Sequence, residues 1–126
     1  FEERRLFAPA ADVVKFAEWM LAGSTPVLRP DTIKLFTSPQ PVRTGYARAL
    51  GWDRVSQPSQ SGRYFSESAY GHLGYTGTSL WIDPERRLSV TLLTTRTWPH
   101  RDSQQIKQVR PAFHDAVMEA LGLAHT

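Results

Sequence analysis

The stretch Gly71-His-Leu-Gly-Tyr-Thr-Gly-Thr-Ser-Leu-Trp-Ile-Asp-Pro84 contains the strongest local pattern in this chain. Its second half, Thr78 to Ile82, is rich in β-branched and aromatic residues, and Leu88 to Thr95 has the same composition. Both segments are therefore predicted to be strands. Between them, Asp83-Pro84-Glu85-Arg86 predicts a turn with proline at its second position. We expect the two strands to form an antiparallel hairpin.

The first half of the stretch has glycines at positions 71, 74 and 77. Glycine removes the side chain where another backbone must lie close, which suits a strand that a substrate lies along. The same glycines also suit a β-bulge or a hairpin corner with His72 exposed to solvent. The residues alone leave both interpretations open.

The N-terminal third has helical periodicity. Apolar residues recur at helical spacing from Ala11 to Ala22, and Gly23 is a typical helix stop. A second helix is predicted from Asp31, taken as its N-cap, through Phe36, and the prolines at 39 and 41 end it.

The middle of the chain changes to a period of two. Ala47 to Val55 predicts a strand with Leu50 and Trp52 on one side, and Tyr64 to Tyr70 predicts a second short strand. The polar segment Gln57 to Arg63 between them has the composition of a loop.

The tail returns to helical spacing at Ile106, Val109, Phe113, Val117 and Leu121, with Gly122 as its stop. We expect Pro111 in the first turn of this helix and His114 on its surface beside Asp115. Two helices, an antiparallel sheet and a terminal helix predict an α+β fold, in which helices flank the sheet. We expect one domain over residues 1–126, with no second domain.

Composition narrows the class of protein. The chain has 126 residues, 40% of them apolar, and no apolar run near the ~20 residues of a membrane span. Its start shows no signal-peptide pattern. The missing initial Met suggests trimming, processing or excision from a longer chain, although an expression tag or loss of the first residue would also explain it. With no cysteine, disulfides and thiolate chemistry are excluded, and the compartment stays undetermined.

The charge pattern argues against a nucleic-acid surface. The net charge is +3, and the twelve Arg and three Lys are scattered instead of clustered on one stripe. His100, His114 and His125 are not at ligand spacing with a pair of carboxylates, so we expect no metal. No phosphate-binding loop or dinucleotide fingerprint is present, and no cofactor is predicted.

The Gly71–Pro84 stretch resembles the strand that carries the third signature of the penicillin-recognising serine hydrolases. These are the serine β-lactamases, the penicillin-binding proteins and their esterase-like relatives, in which the signature is Lys-Thr-Gly or, in many members, His-Thr-Gly. The resemblance continues through Arg110–Val117 in the closing helix and, upstream, through Leu6–Phe16. It implies the C-terminal part of the β-lactamase/transpeptidase-like fold.

The resemblance also implies roles for individual residues. His72 takes the position of the signature's lysine, where it would help to move a proton or attract an anionic group, as histidine can near neutral pH. The backbone N–H of Tyr75 would be a donor of the oxyanion hole. Gly74, Thr76 and Thr78 would line the substrate site.

Two departures from the family pattern affect this assignment. Leu73 stands where members usually have Thr or Ser, and it has no hydroxyl to hold the carboxylate of a β-lactam. This makes a small ester or amide the favoured substrate. The segment Phe1–Arg5 is charged where relatives tend to be small and glycine-rich.

The family's nucleophile is missing from these residues. Three positions before Lys15, Lys34 and Lys107 stand Asp, Asp and Gln, so Ser-x-x-Lys does not occur. Tyr-x-Asn cannot occur either, because the chain has no Asn. The chain by itself is therefore predicted to be inactive.

The leading hypothesis is the C-terminal fragment of a serine hydrolase that transfers acyl groups from ester, amide or β-lactam substrates. The N-terminal region would complete it and supply the serine. The alternatives are a non-catalytic binding or interaction module that keeps the cleft wall, and a truncated piece with no function of its own. An incomplete sheet leaves an open edge, so we expect self-association or a companion chain.

Overall fold

The computed structural model of the protein describes residues 6–41, 48–56 and 59–124. In chain order the elements are helices α1 (Ala10–Ala22) and α2 (Pro30–Thr37), strands β1 (Asp53–Arg54), β2 (Tyr70–Leu73), β3 (Ser79–Asp83) and β4 (Leu88–Leu92), and helix α3 (Ile106–Ala120). The strands form an antiparallel sheet in the order β1-β2-β3-β4. The predicted α+β class, an antiparallel sheet with flanking helices, is confirmed. None of the helices in the described ranges is long and apolar enough to cross a membrane.

A helix packs on each face of the sheet. Successive residues of a strand point to opposite faces, so the neighbours Trp81 and Ile82 of β3 enter different clusters. Ile82 packs on one face with Ala17, Met20, Ile33 and Tyr70. Trp81 packs on the other face with Phe65, Ala69, Val90 and Met118. We call these the α1 face and the α3 face, after the helix that supplies a buried methionine to each.

The ends of the two N-terminal helices agree in part with the prediction. Gly23 ends α1 in the left-handed conformation at φ 76°, as expected. Asp31 is not the N-cap of α2: the helix begins at Pro30, and the capping residue Arg29 makes no side-chain capping bond. The fixed φ of proline suits the first helical position, so the start lies before the aspartate.

The two strands predicted in the middle of the chain are largely wrong. Of Ala47–Val55, only Asp53 and Arg54 pair in the sheet, and Ala47 lies outside the described residues. Gly51 has a φ of 76°, and the Ala49 N–H donates to Trp52 O at 2.9 Å, so the chain turns sharply there. Trp52 still packs against the α1 face, whereas Leu50 is exposed.

Tyr64–Tyr70 is not a strand either, because only Tyr70 at its end belongs to β2. A turn closed by the Ala69 N–H and Ser66 O, at 3.0 Å, precedes that strand. The predicted loop Gln57–Arg63 is irregular from residue 59 on, and residues 57 and 58 lie outside the described ranges.

The hairpin of β3 and β4 is confirmed, although β4 ends at Leu92 and not at Thr95. Asp83 accepts one hydrogen bond within its turn and one from the loop before β2. Oδ1 accepts the Arg86 N–H at 3.2 Å, and Oδ2 accepts the Ser66 N–H at 2.8 Å. The bond to Ser66 connects the loop before β2 to this turn. Asp83 is completely buried, so both bonds are shielded from solvent.

The position of Pro111 differs from the prediction. Helix α3 begins at Ile106, which places Pro111 inside the helix and beyond its first turn. Proline has no N–H to donate to the carbonyl four residues earlier, that of Lys107. The Gln60 side chain replaces this donor, since its Nε2 lies 3.1 Å from Lys107 O. A side chain from a distant loop therefore satisfies the carbonyl that proline leaves free.

Candidate active site

The connection between β2 and β3 runs from Gly74 to Thr78, with Tyr75 to Gly77 at its tip. The Gly74 N–H donates to Thr78 O at 2.8 Å, and the Gly77 N–H donates back to Gly74 O at 3.1 Å. Gly77 has a φ of 106°, a conformation that other residues rarely adopt. A Cβ at Gly74 would collide with the Thr78 hydroxyl, and one at Gly77 with the Thr94 hydroxyl. The glycines are thus needed for the shape of this loop.

Within the described ranges, one side of β2 is open beside this loop. Strand β1 pairs only with Tyr70 and Gly71, whereas β3 pairs with β2 through Leu73. Neighbouring residues of an antiparallel strand direct their hydrogen-bonding groups to alternate sides. Since Gly74 bonds toward β3, the N–H and C=O of Leu73 face the open side.

The predicted site residues all lie at this end of the hairpin. His72 is exposed on β2 opposite Leu80, and Tyr75 and Thr76 are exposed at the tip of the loop. In the part of the chain that the structure describes, the Tyr75 N–H donates no backbone hydrogen bond. Gly74 and Thr78 form the base of the loop. This geometry agrees with both interpretations that the sequence left open. One is a hairpin corner with His72 exposed, and the other is a strand along which a substrate lies.

Two arginine side chains donate hydrogen bonds to carbonyl groups of this loop. Arg110 of α3 is 6% exposed, and its Nη2 donates to Gly74 O at 2.6 Å and to Thr78 O at 3.0 Å. Arg96 follows β4 and donates from Nε to Tyr75 O at 2.6 Å, with its guanidinium 4.4 Å from the centre of the Tyr75 ring. Burial, and then the nearby charge of Arg96, lower the pKa of Arg110.

His114 is not on the surface of α3, contrary to the prediction. It is fully buried between the helix and the sheet. Its Nδ1 lies 2.9 Å from Gln60 O and its Nε2 lies 3.1 Å from the Ser79 hydroxyl. A carbonyl only accepts, so Nδ1 carries the proton and Nε2 accepts from Ser79. Burial lowers the pKa of His114, which agrees with this neutral form.

The spacing of α3 explains why the sequence prediction missed Arg110 and His114. The buried positions are Ile106, Arg110, His114 and Met118, one every four residues. The prediction used the apolar residues at 106, 109, 113, 117 and 121 and assigned polar residues to the surface. The exposed Val109 and Leu121 lie off the buried line. The sequence does contain one sign of their burial. Arg110 and His114 follow the apolar Ile106 at intervals of four residues, which places them on the same side of the helix.

Among residues 6–41, 48–56 and 59–124, no group of three or more His, Cys, Asp or Glu side chains could hold a metal. His100 is exposed in the loop after β4, and His125 lies outside the described residues. Ser79 does contact a histidine, but both side chains are buried, so Ser79 cannot serve as a nucleophile for a substrate.

The solved structure of a β-lactamase from Mycobacterium bovis has a similar fold. It superposes with a TM-score of 0.73 at 26% sequence identity, over 90% of this chain and 44% of that chain. The Beta-lactamase family model matches residues 2–112. This chain therefore belongs to the Beta-lactamase family, as the resemblance of its Gly71–Pro84 stretch predicted.

Two relatives known by name match parts of this chain. The chain is 44% identical over 68 residues to an N-acetylmuramyl-L-alanine amidase of Bacillus subtilis (strain 168), over 52% of this chain and 15% of that protein. It is 28% identical over 102 residues to a proposed D-alanyl-D-alanine carboxypeptidase of Escherichia coli (strain K12), over 75% of this chain and 23% of that protein. The chain thus spans less than a quarter of the length of either relative.

Proposed function

We propose that this chain forms one wall of the active-site cleft of a serine hydrolase that transfers acyl groups. The nucleophilic serine would come from a part of the protein outside these 126 residues. The observation that carries the proposal is the end of β2, where glycines shape a loop beside a strand edge that no other described residue pairs with. An extended substrate can lie along such an edge and bond to the Leu73 N–H and C=O.

The Tyr75 N–H is the candidate donor to the oxyanion. It lies at the exposed tip of the loop and has no backbone acceptor in the described ranges. Loss of one such donor costs about 10²–10³ in rate when it is aimed at the developing charge. Gly74 allows a substrate to approach the backbone just before this donor, and Thr76 and Thr78 lie beside it.

His72 supplies the polar side chain of the cleft wall. It is exposed on β2, two residues before Gly74. A histidine at that position can transfer a proton to the leaving group or attract an anionic group of the substrate.

An amide is the favoured substrate within the wider class of esters, amides and β-lactams. Leu73 has no hydroxyl with which to hold the carboxylate of a β-lactam. The two named relatives are an amidase and a proposed carboxypeptidase, and the names of both describe the cleavage of amide bonds. We therefore place cell-wall peptides and related amides first among the substrates to test.

Ser-x-x-Lys is absent from the chain, and this favours a second candidate, a binding module that holds such a ligand without cleaving it. The first step in separating the two is to read the gene upstream of the codon for Phe1. Ser-x-x-Lys and Tyr-x-Asn in frame would support the hydrolase, and their absence would support the binding module.

The decisive experiment removes the Tyr75 N–H without disturbing the turn. Proline is favoured at the first central position of a β-turn, so Tyr75→Pro deletes the donor at little structural cost. Tyr75→Ala is the matched control, which loses the ring but keeps the N–H. In the protein with its nucleophile, we expect Tyr75→Pro to lower kcat by about 10²–10³ and Tyr75→Ala to have a much smaller effect.

Fluorophosphonate labelling provides a second readout. The 126-residue chain alone should not be labelled, whereas the form that contains Ser-x-x-Lys should be labelled at that serine. Labelling of a serine within these 126 residues would show that the nucleophile is not missing. Equal activity of Tyr75→Pro and Tyr75→Ala would remove Tyr75 from the oxyanion site.

Exposed apolar side chains in the N-terminal third support a partner for this chain. Leu6, Phe7 and Val27 are 88%, 89% and 80% exposed, and Leu35 of α2 is 56% exposed. We propose that the nucleophile-bearing region covers some of these side chains, because the chain spans 44% of its structural neighbour. Without that region the chain should self-associate. A monomer at high concentration in sedimentation experiments would contradict this assignment.

A further inference from the structure

Arginine side chains bind three carbonyl groups of the β2–β3 loop, those of Gly74, Tyr75 and Thr78. Arg110 bonds the carbonyls of Gly74 and Thr78, which are also the two that close the loop. Arg96 bonds the carbonyl of Tyr75 from the β4 side. The residues immediately before and at the proposed oxyanion donor are therefore held by charged donors, which make stronger hydrogen bonds than neutral ones.

Neither guanidinium has an acidic partner in the described part of the chain. Arg110 is nearly buried, and its Nε makes no hydrogen bond within the described ranges. Burying an arginine without a carboxylate is costly, and the positive charge of Arg96 nearby raises that cost. The bonds that Arg110 does make are both to the loop. The guanidinium of Arg110 is thus placed to bind carbonyl groups of the loop and not an acidic side chain.

Arg96 is itself fixed by the segment that follows it. Its Nη1 donates to Arg101 O and to Ser103 O, each at 3.1 Å, and its backbone N–H donates to Thr76 O at 2.8 Å. The loop is therefore clamped between α3 on one side and the segment after β4 on the other. Both clamps act on backbone carbonyls, which leaves the N–H of Tyr75 available.

We propose that Arg110 is a positioning residue, which together with Arg96 fixes the direction of the Tyr75 N–H toward the reacting carbonyl. This inference rests on the proposed function. Arg110 does not touch the substrate in this role. It acts through the loop, and its positive charge near the loop adds a favourable field where negative charge develops in the transition state.

Amide hydrogen exchange of the 126-residue chain tests the clamp without any catalysis. Arg110→Met keeps the length and apolar character of the side chain but removes its donors. We expect the Gly74 and Gly77 amides to exchange about tenfold faster, while the Val90 amide of β4 changes little. Arg110→Lys should give an intermediate result, because the ammonium keeps the charge and still donates, but from a single nitrogen without the planar geometry of a guanidinium.

Two control variants on α3 separate the clamp from general effects. Lys107→Met removes a positive charge from the exposed side of the same helix and should leave Gly74 and Gly77 unchanged. Met118→Ala weakens the buried packing of the helix and should raise exchange throughout the α3 face. If Arg110→Met gives the uniform pattern of Met118→Ala, the clamp is refuted. If Arg110→Met does not fold, Arg96→Met decides, and unchanged Gly77 exchange in that variant also refutes it.

A double-mutant cycle in the protein with its nucleophile tests the link to Tyr75. Arg110→Met should lower kcat by about tenfold with little change in KM, and it should have almost no further effect in the Tyr75→Pro background. Equal effects in both backgrounds would show that Arg110 acts independently of Tyr75. If the protein has no hydrolase activity at all, the proposed function fails, whereas the exchange result still reports on the clamp.

Discussion

The two faces of the sheet bury different kinds of side chain. The cluster on the α1 face contains apolar and aromatic residues, such as Met20 and Ile82. The α3 face has an apolar cluster of similar size, but it also buries Ser79, Arg110 and His114. The polar groups of the α3 face bond the strand and the loop that form the candidate site. The α3 face therefore combines packing with the positioning of the loop, whereas the α1 face supplies its apolar cluster and, at the end of β2, the exposed side chain of His72.

The largest effects should come from apolar packing, and they should be equal on the two faces. Met20 is 6% exposed on the α1 face, and Met118 is fully buried on the α3 face. Replacing either with Ala should lower the free energy of unfolding by about 2–5 kcal/mol. Urea denaturation measures both. A much smaller loss at one site would show that its helix does not pack as described.

The next effect concerns the loop that the α3 face supports. Gly77 and Gly23 both have positive φ, at 106° and 76°. A Cβ at Gly77 collides with Thr94 Oγ1, whereas one at Gly23 meets nothing within 4 Å. Gly23→Ala should cost about 1–2 kcal/mol from backbone strain alone, and Gly77→Ala should cost more. Equal losses of unfolding free energy would show that the loop moves to accommodate the methyl group.

A dependence of stability on pH should come from the α3 face. Burial lowers the pKa of His114 below its ordinary 6.5. Between the lowered value and 6.5 the unfolded chain binds more protons, so stability is complete above about pH 6.5 and falls as the pH decreases. The slope contributed by one histidine is at most about 1.4 kcal/mol per pH unit.

Urea denaturation between pH 5 and pH 8 measures this slope. His114→Asn should remove its contribution, while His100→Asn, at an exposed position, should leave it. An unchanged slope in His114→Asn would assign the pH dependence to other groups.

Apolar segments with a clear period could be predicted from the sequence, whereas a local turn in the middle of the chain and the buried polar residues of the α3 face could not. Strand β3, the β3–β4 hairpin and helix α1 follow from apolar periodicity and turn residues, and the Gly71–Pro84 stretch identified the family. The pattern at Ala47–Val55 failed because Gly51 turns the chain and leaves two residues in the sheet. Arg110 and His114 were missed because burial of a polar residue depends on partners from distant segments, such as Gln60 and Gly74.

The smallest effect should come from a charge pair that belongs to neither face. Arg29 Nε lies 3.8 Å from Asp31 Oδ1, and the two side chains are 85% and 76% exposed. Solvent screens such a pair, so Asp31→Asn should change the free energy of unfolding by less than about 0.5 kcal/mol. Asp31 Oδ1 also accepts the Thr32 N–H at 3.0 Å in the first turn of α2, and the side-chain oxygen of Asn can accept the same bond. A loss above about 1 kcal/mol, the usual value of an N-cap, would restore Asp31 as the cap of α2.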